Sequence, residues 1–208
     1  MTEAPETRST VFIVDDDDAV GDALMLLMKS VRQPALRFRG AQEFLDSYAP
    51  ATPGCLLLDI RMPGMSGFEL QKEMARRDIR LPVIFMTGHG DVPMAVGAMR
   101  EGAVDFLQKP FRDEELLASV NRALARDRGQ QAALRLREDR QNQLAKLTTR
   151  ELEIARRVAD GRANKFIAAE LGISSRTVEL HRAHVMEKLG LKSVAELVRF
   201  FVDAEQPT

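Results

Sequence analysis

Five times between residues 10 and 126, a short apolar run gives way to a stretch whose apolar residues recur at helical spacing. The runs are "TVFIV" (10–14), "ALRFR" (35–39), "GCLLLD" (54–59), "LPVIFMT" (81–87) and "VDFLQK" (104–109). Between and after them, residues 18–31, 41–49, 66–77, 92–101 and 113–126 read as helices; Val20, Leu24, Leu27, Met28 and Val31 mark one face of the first. Strands that alternate with helices predict a parallel sheet covered on both faces, because parallel strands need crossover helices and are buried on both sides. The continuous apolar runs agree with that burial. The fold class expected for this part is α/β, a five-stranded parallel sheet with helices on both faces.

In open sheets of this kind, ligands sit beyond the carboxyl ends of the strands. The residues placed there are Asp15, Asp16, Asp59, Thr87 and Lys109. Three carboxylates at one rim repel one another and call for a cation. A hard divalent ion such as Mg²⁺ suits a few carboxylates plus waters, and it neutralises the oxygens of an incoming phosphoryl group. A lysine and a threonine complete an electrostatic cage. The chemistry implied is phosphoryl transfer onto a carboxylate, and Asp59, at the tip of the middle strand, is the best-placed nucleophile. The stretch "VFIVDDDDAV" carries two more aspartates, Asp17 and Asp18, which read as a helix cap and a first-turn acid.

The order of these marks, "DD" at Asp15–Asp16, "DIRMPG" from Asp59, then Thr87, then "KP" at Lys109–Pro110, resembles the receiver domain of bacterial two-component response regulators. That resemblance implies a flavodoxin-like arrangement of the sheet and Asp59 as phospho-acceptor. It implies Asp15, Asp16, Asp59 and the backbone carbonyl of Arg61 as Mg²⁺ ligands. It implies Thr87 and Lys109 as holders of phosphoryl oxygens, Phe106 with Thr87 as the switch pair, and a cis Lys109–Pro110 bond. Arg61 and His89, each two residues past a site residue, are implied to flank the phosphoryl group and tune its lifetime. An enzyme alternative is a haloacid-dehalogenase-like phosphatase, read from "DDDAV" at Asp16–Val20; its further acidic motif would have to come from Asp113, Glu114 and Glu115.

The back of the chain reads differently. Thr148 with Glu151 three residues on is a capping box opening a helix over 148–160, with Leu152, Ala155, Val158 and Ala159 as its apolar face. Residues 164–171 make a short helix with Phe166, Ile167 and Ala168 available for packing. A turn at Gly172 leads to a helix over 175–189, whose buried face is Val178, Val185 and Leu189, and a fourth helix covers 193–201. Two helices around a Gly-centred turn fit a helix-turn-helix. The run from Leu147 to Val198 resembles the LuxR-type four-helix domain, and with "TGHGDVP" the chain resembles the FixJ-like branch of response regulators. This all-α domain is expected to bind double-stranded DNA. Glu179 and Leu180 are candidates for base contacts. Asn164, Lys165, Arg176, Thr177, His181, Arg182 and Lys188 are candidates for phosphate contacts. A protein-binding output module is the interaction-class alternative.

The division expected is a disordered N-terminus at 1–9, a receiver domain at 10–126, a helical linker at 127–147 and a DNA-binding domain at 148–208. Charge follows it weakly: residues 1–126 carry 15 basic and 19 acidic groups, residues 148–208 carry 10 and 9. The net charge of −1 excludes a polyelectrolyte role for the whole chain. The lone Cys55 cannot form an internal disulfide, and no signal peptide or membrane span is read, so the expected place is the cytoplasm. The expected role is a transcription regulator, not a turnover enzyme. Its expected partners are a sensor histidine kinase, DNA and, on phosphorylation, a second copy of itself.

Overall fold

A computed structural model describes residues 9–49, 52–88 and 92–205. Residues 1–8, within the segment expected to be disordered, and His89 lie outside the described residues. The chain divides into two compact units, 1–131 and 132–208.

The first unit holds β1 (Thr10–Val14), α1 (Asp18–Ser30), β2 (Ala35–Phe38), α2 (Ala41–Ser47), β3 (Gly54–Asp59), α3 (Gly67–Arg76), β4 (Val83–Thr87), α4 (Val92–Arg100) and β5 (Asp105–Gln108). The first part of α5 (Asp113–Leu144) completes it. The strands lie in the order β2-β1-β3-β4-β5, all parallel, so β3 is central and each of its six residues is buried. Side chains alternate between two cores, as a pleated strand requires. Val11 and Ile13 pack with Leu24 and Met28 of α1 and Leu116 and Val120 of α5. Phe12 and Val14 face the other way, toward Phe44 of α2, Leu70 of α3 and Ala98 of α4. The register sets Leu58 beside Val14, Asp59 beside Met86 and Thr87 beside Gln108, which brings four strand ends to one rim.

Helix α5 runs on past 126 through most of the expected helical linker, to Leu144. Residues 127–144 are rich in Gln, Arg, Leu and Ala, all strong helix formers. The one Gly129 costs only about 1 kcal/mol against that background. Helix α9 runs Val194–Glu205, past the expected 201.

The second unit is helical: α6 (Thr149–Ala159), α7 (Asn164–Leu171), α8 (Ser175–Leu189) and α9. Thr148 and Glu151 form the capping box at the start of α6. The core gathers Ile154, Val158, Ile167, Val178, Val185 and Leu197, with Leu152 and Ala159 at its margin. Phe166 departs from expectation. It is 66% exposed, because the buried stripe of α7 passes through Ile167 and Ala168 and leaves the preceding position on the outside. Among the described residues, no helix is long and apolar enough to cross a membrane.

Candidate functional site

At the carboxyl rim of the first unit, Lys109 stands between two buried carboxylates. Its Nζ donates to Asp15 Oδ2 and to Asp59 Oδ1, each at 2.6 Å. The second oxygen of each acid is held by backbone. Asp17 N donates to Asp15 Oδ1 at 3.0 Å, and Arg61 N donates to Asp59 Oδ2 at 2.7 Å. Burial works against the Lys109 ammonium, but the hydrogen bonds to Asp15 and Asp59 outweigh it and keep its pKa above the ordinary lysine value. Thr87 is buried beside them, and its carbonyl accepts from Lys109 N at 2.7 Å, tying the ends of β4 and β5 together. The Lys109–Pro110 bond is cis. Phe106 is half-buried against the core that lines α2 to α4.

Asp16 is exposed, as is Arg61. Among the described residues, no group of three acidic, histidine or cysteine side chains is placed to hold a metal ion. Of the carboxylate trio read from the sequence, Asp15 and Asp59 meet at Lys109, while Asp16 is exposed. The donor chemistry nevertheless fits Mg²⁺. The acids are hard oxygen donors on adjoining strand ends, and each buried carboxylate keeps lone pairs beyond the ones its hydrogen bonds use.

Asp17 and Asp18 have structural work. Asp17 caps α1 by accepting from Ala19 N and Val20 N. Asp18 binds Arg37 and Arg39, and the Arg37 hydrogen bond leads in holding its carboxyl below the usual range. Asp113, Glu114 and Glu115 are exposed first-turn acids of α5.

In the second unit, Gly172 adopts φ +65° and closes α7, a conformation that favours glycine. Ser174 caps α8 by accepting from Thr177 N. Arg176, Glu179 and Leu180 are exposed on α8, and Lys165 is exposed on α7. Asn164 and Arg182 are half-buried and hydrogen-bonded to each other, which links the two helices. Thr177 and His181 are also half-buried. Lys188, read from the sequence as a phosphate contact, is paired within the domain. Its Nζ donates to both oxygens of the buried Glu151, at 2.9 and 2.6 Å, so its charge is committed within the domain. Sequence reasoning found Glu151 as a capping residue but not as the buried acid that Lys188 neutralises.

Residues 11–121 match the family described as "Response regulator receiver domain", and residues 145–201 match "Bacterial regulatory proteins, luxR family". The chain is 46% identical over 198 residues to Nodulation protein W of Bradyrhizobium diazoefficiens, covering 95% of this chain and 87% of that protein. It is 46% identical over 189 residues to Transcriptional regulatory protein FixJ of Azorhizobium caulinodans, covering 91% and 90%. Among solved structures it is similar to the response regulator StyR, with a TM-score of 0.86 and 39% identity, covering 94% of this chain and 98% of that one. Full-length FixJ from B. japonicum gives 0.58 and 40%, covering 95% and 97%.

Proposed function

The chain belongs to the response regulators that join a receiver domain to a LuxR-type DNA-binding domain, and on that premise we propose that it is a transcription regulator switched by phosphorylation of Asp59. The observation that carries this reading is the pairing of a buried Asp59 with Lys109 at the tip of the central strand. Neither the phosphatase nor the protein-binding alternative accounts for both matched families.

A sensor histidine kinase presents a phosphohistidine. A carboxylate oxygen of Asp59 forms the new O–P bond while the N–P bond breaks, and the imidazole leaves with the electron pair. Asp15, Asp16, Asp59 and the Arg61 carbonyl would hold Mg²⁺, which when bound would supply charge neutralisation at the phosphoryl oxygens. Lys109 balances charge on Asp59 before transfer and on the phosphoryl group after it. Thr87 offers its hydroxyl to a phosphoryl oxygen, and Phe106 moves with it. That repacks the surface of α4 and β5, where two copies pair. The paired DNA-binding domains then take two half-sites. Helix α8 enters the major groove with Glu179 and Leu180 toward base edges. Lys165 and Arg176, with Asn164, Thr177, His181 and Arg182 behind them, lie toward the phosphates.

The test is Asp59→Asn with a small phosphodonor and Mg²⁺, followed by intact mass. The wild-type chain is expected to gain one phosphoryl group and the variant none, because an amide is a poor nucleophile. Labelling of Asp59→Asn at the wild-type rate would overturn the assignment. Size in solution with and without the donor tests the pairing step.

A further inference from the structure

Arg37 is an arginine on an edge strand, yet only 14% of its side chain is exposed. It lies over α1 in a slot that Gly21 leaves open. A Cβ at position 21 would stand 1.9 Å from Arg37 Nε and 2.4 Å from Cζ. From that slot the guanidinium reaches three partners around the first turn of α1. Its Nη2 donates to the Asp17 carbonyl at 3.2 Å and to Asp18 Oδ1 at 2.6 Å, and its Nη1 donates to Asp22 Oδ1 at 2.8 Å. The segment so fixed is the one that follows Asp15 and Asp16 without a break.

We propose that Arg37, seated over Gly21, is a positioning residue for the Mg²⁺ site: it fixes the turn from which Asp16 must meet Asp15 and Asp59. The proposal rests on the reading of that rim as an Mg²⁺ and phosphoryl site. Asp15, just past β1, is anchored by its N–H to the Phe38 carbonyl and by Lys109, and Asp59 by Lys109 and Arg61 N. Asp16 is exposed and sits between a strand end and a helix start, so its placement depends on how firmly the helix start is held. Only a planar fork reaches a backbone carbonyl and two carboxylates at once; a lysine ammonium keeps the charge but not that geometry. Outer-shell partners of metal ligands commonly shift affinity by about tenfold or more.

A charge role and a positioning role predict opposite signs. Removing a cation beside the acids deepens the negative potential and tightens Mg²⁺ at low salt. Losing the clamp weakens it at any salt. At 0.5 M KCl the screening length is about 4 Å, so the charge contribution fades and the clamp remains.

The experiment is calorimetric titration of the full chain with Mg²⁺ alone in 0.5 M KCl, with Asp16→Asn as the site control and circular dichroism as the folding control. Arg37→Ala is expected to weaken Mg²⁺ at least threefold. Arg37→Lys is expected to fail to restore it. Gly21→Ala improves helix propensity but puts a methyl where the guanidinium lies, so it is expected to weaken Mg²⁺ as Arg37→Ala does. The double variant is expected to lose no more than either single one. Should Arg37→Ala not fold, Gly21→Ala decides alone. Wild-type affinity in Gly21→Ala, or full rescue by Arg37→Lys, overturns the proposal and leaves the Mg²⁺ reading standing. A wild-type chain that binds no Mg²⁺ overturns both.

Discussion

Lys188 near the end of α8 binds the carboxylate of Glu151 in the first turn of α6, across 37 residues of sequence. Glu151 thereby serves two elements: it closes the capping box with Thr148 and fixes the far end of the recognition helix. The Lys188 hydrogen bond first, and the Thr148 N–H second, hold its carboxyl down at about 2. Because the folded pKa lies below the ordinary value of 4.5, this pair contributes full stability above about pH 4.5 and loses it as pH falls toward about 2. Lys188→Ala, which leaves Glu151 with only its Thr148 partners, is expected to cost about 1–2 kcal/mol in denaturant unfolding at pH 7, less than a fully buried pair because the lysine is part-solvated. Glu151→Gln is expected to flatten the acid limb of the stability curve.

The same pair separates two lysines in DNA binding. Lys165→Ala is expected to reduce the salt slope of the binding constant by about 1, as loss of one phosphate contact does. Lys188→Ala is expected to weaken binding while leaving that slope unchanged, since its ammonium answers Glu151. Equal slopes for both variants would return Lys188 to the phosphate set.

Asp127 is buried on α5 and accepts from Gly54 N, the first residue of β3, at 3.0 Å. Desolvation raises its pKa, so stability falls as pH climbs above the ordinary value of 3.8, and the full cost of burying the charged form stands once the pH exceeds the raised folded value. Asp127→Asn keeps an acceptor for Gly54 without a charge and is expected to be at least as stable at pH 7. Asp127→Ala leaves the N–H unpaired and is expected to lose about 1–3 kcal/mol in urea unfolding.

Cys55 is fully buried in β3, and burial first, then the nearby Asp127 charge, pushes its thiol up to about 12. Alkylation at pH 8 is therefore expected to be negligible for the native chain and rapid in urea. Native labelling at the unfolded rate would contradict the packing of the central strand.

What could be read ahead of the structure follows from range. β3 was legible because six consecutive positions are buried on both sides of a parallel sheet, which leaves a continuous apolar run. Asp59, Thr87 and Lys109 were legible because they end such runs. The Thr148–Glu151 box was legible because its partners are three residues apart. Contacts between distant segments left no such mark. Nothing near Lys188 points to Glu151, and nothing in "ALRFR" says that Arg37 is half-buried, because its slot is made by a glycine on another element. Phe166 stood in an apolar triplet, and periodicity over eight residues does not decide which of three neighbours faces out. The gathering of all three acids was expected from strand order, but a parallel sheet aligns strand ends and does not aim the exposed Asp16 in the turn beyond.

Arg61 ties the acceptor to its own fate. Its N–H holds Asp59 Oδ2 at 2.7 Å, while its side chain is exposed at the same rim. Substitution at position 61 leaves the backbone donor in place, so Asp59 keeps that hydrogen bond and still accepts phosphate. What is removed is a guanidinium charged at every working pH, which an acyl phosphate two residues away attracts. On the proposed reading, drawn over the phosphoryl group, it would obstruct the path of an attacking water. Arg61→Ala is therefore expected to shorten the half-life of phospho-Asp59 severalfold, read as decay of purified phosphoprotein with Mg²⁺ present and kinase removed. His89→Ala, measured alongside, shows by the sign of its change in half-life whether that side chain guides water or shields the phosphoryl group. An equal or longer half-life in Arg61→Ala sinks the shielding role.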